Sequence, residues 1–310
     1  MNVFRTPDDR FEAWQDYPFS PNYVDVSDGE GAKLRMHYVD EGPRDGHVML
    51  MLHGMPTSSF LYRRMIPPLV EAGYRCIAPD HIGFGKSDKV LDDAWYTIAR
   101  HSQACAELIQ QLDLTNITLI CQDWGGPIGL RQAVDTPDRF ERLCIMNTWL
   151  HHDEFTYTEA IRNWNAAWHE GGAMFEAQGC GLIMQVMLNR FPRGSSPLSD
   201  EEAFAAYEAP FPDRESKAGP RRFPLSLPFD DAEAANADVQ KADFEALRGW
   251  TKPAHFIFGI EDEIFTEAWG RQWAGMYDQA TFDGLEAGHF LQESHGPEIV
   301  DILLQRISEE

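Results

Sequence analysis

Strand-like and helix-like patterns alternate along most of the chain. His47–Leu52 is a continuous apolar run, which is typical of a strand buried on both faces of a sheet. Leu34–Val39 alternates apolar and polar positions and predicts an antiparallel strand at the edge of the sheet, while Thr97–Leu112 has apolar positions at helical spacing. Further strands are predicted at Arg75–Ala78, Thr118–Cys121, Leu143–Met146, His255–Phe258 and Ala280–Phe282. The alternation predicts an α/β fold, a mostly parallel sheet with helices on both faces.

The alternation stops between about Trp149 and Pro228. Aromatic residues, prolines and short helical patterns such as Ala160–Trp168 and Glu201–Tyr207 replace it. Because ligands of open α/β sheets bind at the carboxyl ends of the strands, we interpret this segment as a helical insertion that covers those ends. The predicted organisation is a core made of residues 1–148 and 229–310, with an inserted helical cap made of residues 149–228.

The run Ile120-Cys121-Gln122-Asp123-Trp124-Gly125-Gly126 joins a predicted strand to a predicted helix. Small residues two positions before and after one side chain are typical of a nucleophile elbow, whose turn leaves no room for bulky neighbours. The side chain presented here is Asp123, and a carboxylate can displace a leaving group from saturated carbon to form an ester. We therefore predict that Asp123 is a nucleophile. The alternative is an ordinary loop aspartate at the end of a strand.

A base and an acid are predicted downstream, because elbow enzymes carry nucleophile, acid and histidine in that order along the chain. His289 lies beside Gly288 in a loop after the last predicted strand, and an imidazole can take a proton from water near neutral pH. Asp262 follows the strand that ends at Phe258 and is the predicted orienting acid. Its neighbours Glu261 and Glu263 could be confused with it.

Two further roles are predicted near the elbow. The backbone N–H groups of Trp124 and of Met55, in the loop after the first buried strand, are candidates for an oxyanion hole. The indole N–H of Trp124 is also a neutral donor suited to a departing halide ion. The bland alternative for Trp124 is a core tryptophan beside the turn.

Composition narrows the classes of partner. The 310 residues include 26 basic and 50 acidic side chains, a formal net charge of −24, which argues against nucleic-acid and anionic-membrane partners and suits a small neutral substrate. No apolar run approaches the roughly 20 residues that cross a bilayer, and the first residues lack an apolar signal core, so we expect a cytoplasmic protein. Five cysteines without C-x-x-C spacing argue against a zinc or redox site.

Several motifs resemble those of the haloalkane dehalogenases in the α/β-hydrolase superfamily. The resemblance covers the chain from about Val48 to its end, and Gln-Asp-Trp-Gly-Gly is fairly specific, since many relatives in the superfamily carry His-Asp-Trp-Gly. The similar runs are His53-Gly54-Met55-Pro56-Thr57-Ser58-Ser59-Phe60-Leu61-Tyr62-Arg63, Ala78-Pro79-Asp80 with Gly83-Phe84-Gly85-Lys86-Ser87-Asp88, Gln122-Asp123-Trp124-Gly125-Gly126, Tyr207-Glu208-Ala209-Pro210-Phe211-Pro212-Asp213 and Ala287-Gly288-His289-Phe290-Leu291-Gln292-Glu293.

The resemblance implies an α/β-hydrolase fold and a hydrolytic dehalogenase that needs no cofactor. It implies Asp123 as nucleophile, His289 as base, Asp262 as acid and Trp124 as one halide donor. A haloalkane would pass through an alkyl-aspartyl ester to an alcohol, a halide ion and a proton. A monomer or small homo-oligomer is expected.

One position departs from the family. The family binds the halide with a second side-chain donor, either an asparagine in the loop after the first buried strand or a tryptophan of the cap. Here that loop position is Met55, whose side chain donates nothing. The resemblance therefore places the second donor in the cap, where Trp164 and Trp168 lie four residues apart.

Two other functions stay open on the sequence. An epoxide hydrolase uses the same aspartate and histidine but needs an acid in the cap, usually a tyrosine, and Tyr157 and Tyr207 are the candidates. A ligand-binding protein that kept the fold and lost turnover is the third possibility, because a fold alone does not secure activity.

Overall fold

The computed structural model describes residues 1–189, 197–229 and 236–310. The strands in these ranges are β1 (Val3–Phe4), β2 (Asn22–Ser27), β3 (Lys33–Glu41), β4 (Val48–Leu52), β5 (Arg75–Pro79), β6 (Lys89–Val90), β7 (Ile117–Gln122), β8 (Phe140–Met146), β9 (Ala254–Gly259) and β10 (Ala280–Leu285). The α-helices are α1 (Ile66–Glu71), α2 (Ile98–Gln111), α3 (Gly125–Asp135), α4 (Glu159–Glu170), α5 (Gly172–Asn189), α6 (Asp200–Glu208), α7 (Ala218–Arg222), α8 (Ala237–Leu247), α9 (Glu267–Ala274) and α10 (Leu291–Ser308).

Eight strands form one sheet in the order β2-β3-β5-β4-β7-β8-β9-β10. Every neighbouring pair from β5 to β10 is parallel, and β3 is antiparallel to both of its neighbours. The predicted mostly parallel sheet is confirmed. The antiparallel direction of Leu34–Val39 is also confirmed, but its place at the edge is wrong, because β2 lies outside it. Only Val26 of β2 is fully buried, so this strand leaves little apolar signal in the sequence.

The central strands are buried on both faces of the sheet. In β4, Val48, Leu50 and Leu52 belong to one apolar cluster, while Met49 and Met51 belong to the other. The first cluster also contains side chains of α2, α3 and α8, and the second contains side chains of α1 and α10. This two-sided burial is the reason that β4 reads as an unbroken apolar run, and it confirms helices on both faces.

Residues 149–228 contain α4 to α7 and, in the described part of this segment, no strand. The predicted helical patterns Ala160–Trp168 and Glu201–Tyr207 lie within α4 and α6. Residues 190–196 of the segment lie outside the described residues, and the predicted boundary at 228/229 lies just before 230–235, which also lie outside them. The division into core and cap stays a prediction. None of the described helices has the length and apolar character needed to cross a membrane.

Residues 5–17, here called the N-terminal arm, join the core to the helices of this segment. The indole of Trp14 donates to the Ala206 carbonyl of α6 at 2.9 Å. On the core side, the Lys86 ammonium lies 5.5 Å from the centre of the Trp14 ring and 5.1 Å from that of Phe11. Cations are attracted to the faces of aromatic rings, so the arm contacts both Lys86 on one side and α6 on the other.

Candidate active site

Asp123 occupies the sharp turn between β7 and α3. Its φ is +52°, a left-handed conformation that is unfavourable for a residue other than glycine. A Cβ on Gly125 would lie 2.1 Å from the Leu52 carbonyl oxygen, so this position has room only for glycine. Backbone strain of this kind persists where the surrounding structure holds it, and it is typical of a nucleophile elbow.

The loop after β4 holds one oxygen of the Asp123 carboxylate. The Met55 backbone N–H donates to Oδ1 of Asp123 at 2.7 Å. A Cβ on Gly54 would lie 2.1 Å from the same oxygen, so glycine is what allows the loop to approach this closely. Trp124 directly follows Asp123 and precedes the first residue of α3. Of the two predicted oxyanion donors, the Met55 N–H thus contacts the carboxylate, and Trp124 is the residue next to Asp123 in the chain.

His289 lies between the two aspartates that the sequence singled out. Its Nδ1 is 2.8 Å from Oδ2 of Asp262, and its Nε2 is 3.5 Å from Oδ2 of Asp123. All three side chains are buried. The structure thus brings the predicted nucleophile, base and acid together, although they lie up to 166 residues apart in the chain.

The two carboxylates govern the charge of the imidazole. Burial alone would lower the pKa of His289, but the Asp262 and Asp123 carboxylates stabilise the protonated ring and raise its pKa to about 10. A reaction that converts Asp123 into a neutral ester would remove one of these charges. The pKa of His289 would then fall, which favours its use as a base.

Asn147, which the sequence analysis did not single out, holds the acid in place. Its Nδ2 donates to Oδ2 of Asp262 at 2.9 Å, and its Oδ1 accepts from the Gly259 N–H at 2.7 Å. Its position directly after β8, at the carboxyl edge of the sheet, was the available signal. Glu261 and Glu263, the neighbours that could be confused with Asp262, are exposed.

A cavity of only about 20 Å³ adjoins the carboxylate, which is room for one or two water molecules. Asp123 and His289 are the only ionisable side chains among its described lining, and the rest is apolar or aromatic. The lining is Met55, Asp123, Trp124, Trp149, Ile161, Trp164, Ile183, Met187, Leu227, Ile264, Phe265, His289 and Phe290. Such a surface suits an uncharged apolar ligand with one reactive bond.

Trp164, Met187 and Ile264, here called the partition, also line an open groove on the outer side. These three side chains lie between the cavity and the groove.

Three tryptophans line the cavity, and two of them were predicted site residues. Trp124 comes from the core and Trp164 from α4. Trp168, the other cap candidate, is not among the described lining residues; its ring meets that of Trp164 edge to face at 6.1 Å. Trp149 was not singled out. Its ring stands edge to face against Trp124 at 4.8 Å and stacks on Phe265 at 4.7 Å.

Neither tyrosine proposed for epoxide opening is among the described residues that line the cavity. The Tyr207 hydroxyl donates to the Glu293 carboxylate, which also forms a buried ion pair with Arg63. The Tyr157 hydroxyl lies 3.0 Å from Nδ1 of His151. The geometry therefore offers no support for the epoxide hydrolase alternative.

Comparisons with known proteins identify the family to which this chain is similar. Residues 47–296 match the family model of the alpha/beta hydrolase fold. A haloalkane dehalogenase of Psychrobacter cryohalolentis is 39% identical, with 99% of this chain and 98% of the relative covered. One of Mycolicibacterium paratuberculosis is 40% identical, with 98% of each covered. The tetrameric structure of the haloalkane dehalogenase DpaA from Paraglaciecola agarilytica superposes with a TM-score of 0.86 at 35% identity, covering 98% of each chain.

The resemblance predicted from the motifs is confirmed over nearly the whole length of the chain, and with it the predicted fold class. The carboxylate at the elbow, the apolar cavity and the full-length relatives all indicate the same family. The chain belongs to the haloalkane dehalogenases, hydrolases of the α/β-hydrolase fold that act on carbon–halogen bonds.

Proposed function

We propose that this protein hydrolyses small neutral haloalkanes through an alkyl ester on Asp123. The observation that carries the proposal is the placement of a carboxylate, rather than a hydroxyl, at the elbow beside the His289–Asp262 pair. Because Oδ1 of Asp123 already accepts the Met55 N–H, Oδ2 is the oxygen free to attack carbon. The carbon–halogen bond breaks as the new C–O bond forms, and the halide leaves with the bonding electrons.

The halide is proposed to leave between two indoles. Trp124 and Trp164 line the same cavity, one next to the nucleophile elbow and one from α4. Neutral N–H donors stabilise an anion without competing as a base, and Met55 offers no side-chain donor. Trp164 is therefore the proposed second donor, in preference to Trp168.

Hydrolysis of the ester is proposed to regenerate the enzyme. His289 removes a proton from a water molecule as its oxygen attacks the ester carbonyl carbon, and Asp262 stabilises the resulting imidazolium. The negative charge that develops on Oδ1 is held by the Met55 N–H and the Trp124 N–H. Collapse of this intermediate releases the alcohol and restores the carboxylate, and the proton on His289 then passes to solvent.

The test is the fate of 1,2-dibromoethane in two variants. Asp123→Asn should release no bromide, because the neutral amide is a poor nucleophile. His289→Gln should release about one bromide per protein and gain the mass of one bromoethyl group on the peptide that contains Asp123. Glu261→Gln, a change at an exposed neighbour of the acid, should turn over normally.

Undiminished bromide release by Asp123→Asn would refute the mechanism. Ligand binding with no bromide release by the unaltered protein would instead support the non-catalytic alternative, and turnover of styrene oxide without turnover of 1-bromobutane would support an epoxide hydrolase.

The halide donors can be tested with a matched pair of variants. Trp164→Phe should weaken bromide binding and slow the alkylation step by about tenfold, the effect of one lost hydrogen bond of about 1.4 kcal/mol to an anion. Trp168→Phe, one helical turn away, should change both much less. Bromide quenching of tryptophan fluorescence and rapid-quench kinetics measure the two effects. Equal effects of the two substitutions would refute the assignment.

We further propose that residues 149–228 act as the cap over this site, and that the protein is a small homo-oligomer or monomer in the cytoplasm, without nucleic-acid or membrane partners. The net charge of −24 supports the last point. The neighbour DpaA is described as tetrameric. Sedimentation velocity of the purified chain measures its oligomeric state, and an assembly larger than a tetramer would contradict the proposal.

A further inference from the structure

The side-chain amide of Gln122, the last residue of β7, contacts two acceptors of the catalytic histidine. Its Nε2 lies 2.9 Å from Nε2 of the His289 ring and 3.1 Å from the His289 carbonyl oxygen. A primary amide has two N–H bonds, so each acceptor can receive one. Gln122 is completely buried. One amide thereby connects the strand that carries the nucleophile to both the backbone and the ring of the base.

The orientation of this amide follows from its partners. Rotating it by 180° would place Oε1 against the His289 carbonyl oxygen, and two acceptors would face each other. Only the NH₂ group suits the carbonyl, so the same group must also face the ring nitrogen. The bond to the ring can form only when Nε2 of His289 carries a lone pair instead of a proton.

Gln122 therefore favours the opposite protonation state of His289 to the one that the two neighbouring carboxylates favour. Among the residues that the structure describes, the ionisable side chains in contact with the imidazole are Asp262, on Nδ1, and Asp123, on Nε2. Both favour the protonated ring. The Phe265 and Phe290 rings pack against the imidazole and carry no charge. Among the described contacts of the ring, Gln122 is the side chain that favours the neutral form.

We propose that Gln122 is a positioning residue that stabilises the neutral, Nδ1-protonated form of His289, so that the base is ready to take a proton from water once Asp123 has been esterified. This inference rests on the proposed function and deepens it. Esterification removes one of the two carboxylate charges that favour the protonated ring. The Gln122 hydrogen bond then shifts the protonation equilibrium of His289 towards the neutral ring. The attacking water displaces the amide hydrogen from the lone pair, while the second N–H stays on the His289 carbonyl and keeps the side chain in place.

The inference predicts a crossing of two pH profiles. Gln122→Leu removes one hydrogen bond to the neutral ring. The pH at which ester hydrolysis slows on the acid side of its rate profile, here called the acid limb, should therefore rise by about one pH unit. Below this limb the variant hydrolyses its ester more slowly, by up to about tenfold. Above it, the rate should equal or exceed that of the unaltered protein, because the lone pair is no longer shared. The initial burst of bromide should be unchanged.

The measurement is rapid-quench analysis of 1,2-dibromoethane turnover between pH 6 and pH 10, which separates bromide release from ester hydrolysis. The matched control is Gln292→Leu, which removes another buried amide near His289 without a hydrogen bond to its ring. An acid limb that stays in place, or a plateau that falls at every pH, would overturn the inference. No release of bromide by the unaltered protein would refute the proposed function itself, which is a different outcome.

A second measurement does not depend on turnover. Asp123→Asn mimics the loss of charge that esterification causes, and ¹⁵N NMR of labelled histidine reports the protonation of His289 directly. Its midpoint should lie about one pH unit higher when Gln122→Leu or the nearly isosteric Gln122→Glu is added. Glu at this position replaces the donor by an acceptor, so its shift should be the larger. Equal midpoints with and without the second change would overturn the inference.

Discussion

His101 is buried with neither ring nitrogen hydrogen-bonded to any described residue. It packs against the ring of Phe223, which in turn stacks on Trp124. Burial lowers the pKa of His101 to about 3, whereas an unfolded histidine titrates near 6.5. Below about pH 6.5 the unfolded chain therefore binds a proton at this position that the folded protein does not bind. The free energy of unfolding falls as the pH falls.

His101→Phe should remove this acid sensitivity. Between pH 7 and about pH 5 it should lose about 2 kcal/mol less stability than the unaltered protein, because phenylalanine does not titrate. Urea unfolding at both pH values measures the difference. His169→Phe, a change at an exposed position of α4, should behave like the unaltered protein. An equal loss in His101→Phe and the unaltered protein would show that His101 is not the sensor.

Asn147 offers a second residue-scale prediction. Asn147→Leu removes the donor that holds Asp262 while leaving Asp262 and His289 chemically intact. Ester hydrolysis should slow by about tenfold, the effect of one lost hydrogen bond to a carboxylate, and bromide release should change little. The two steps are separated by rapid quench. A slower bromide burst with normal hydrolysis would contradict the role assigned here.

The proposed nucleophile, base and acid were predictable from the sequence, while the residues that contact them were not. Asp123, Asp262 and His289 stand at positions that a strand end, a turn or a glycine marks in the chain. Asn147, Trp149 and Gln122 contact residues more than 20 positions away in the sequence, and no local sequence pattern predicts such contacts. The spacing of Trp164 and Trp168 in the sequence could not show which of them reaches the cavity, because that depends on how α4 packs.

Among the elements, the N-terminal arm is the one whose removal should loosen α6. Trp14→Ala deletes the indole that donates to Ala206 and leaves Lys86 without one of its rings. Amide hydrogen exchange in α6 should rise at least tenfold, while α10 keeps its protection. Trp95→Ala is the matched control, since the Trp95 indole also donates to a carbonyl, but within the core. Equal exchange in α6 for both variants would contradict a specific role of the arm.

The elements themselves were predictable where burial is simple. The central strands are buried on both faces and therefore read as apolar runs. β2 has one fully buried residue, Val26, and was missed. α5 was not predicted as one helix, because its apolar residues are not confined to the buried stripe of Cys180, Ile183 and Met184: Val186 is apolar and exposed. A helix with apolar residues on its exposed face as well as its buried face loses the periodicity on which sequence reasoning depends.

At the scale of the whole molecule, the net charge of −24 should make stability depend on salt. Screening reduces self-repulsion, so the melting temperature should rise by a few degrees between about 10 mM and about 150 mM ionic strength. Sodium acetate and sodium chloride should act equally if screening is the cause. A rise in chloride alone would instead report halide binding to the folded protein, and no rise in either would contradict the prediction.

Trp164, Met187 and Ile264, the partition, line both the cavity beside Asp123 and the open groove on its outer side. Movement of these side chains would therefore join the two spaces and give a haloalkane, and the alcohol and halide made from it, a common route. We expect substitutions of Met187 or Ile264 to change the rates of substrate entry and product release, because such conformational steps limit turnover in many enzymes. The same substitutions should leave the distances among Asp123, His289 and Asp262 unchanged, so that the speed of the enzyme and the chemistry of its site can vary independently.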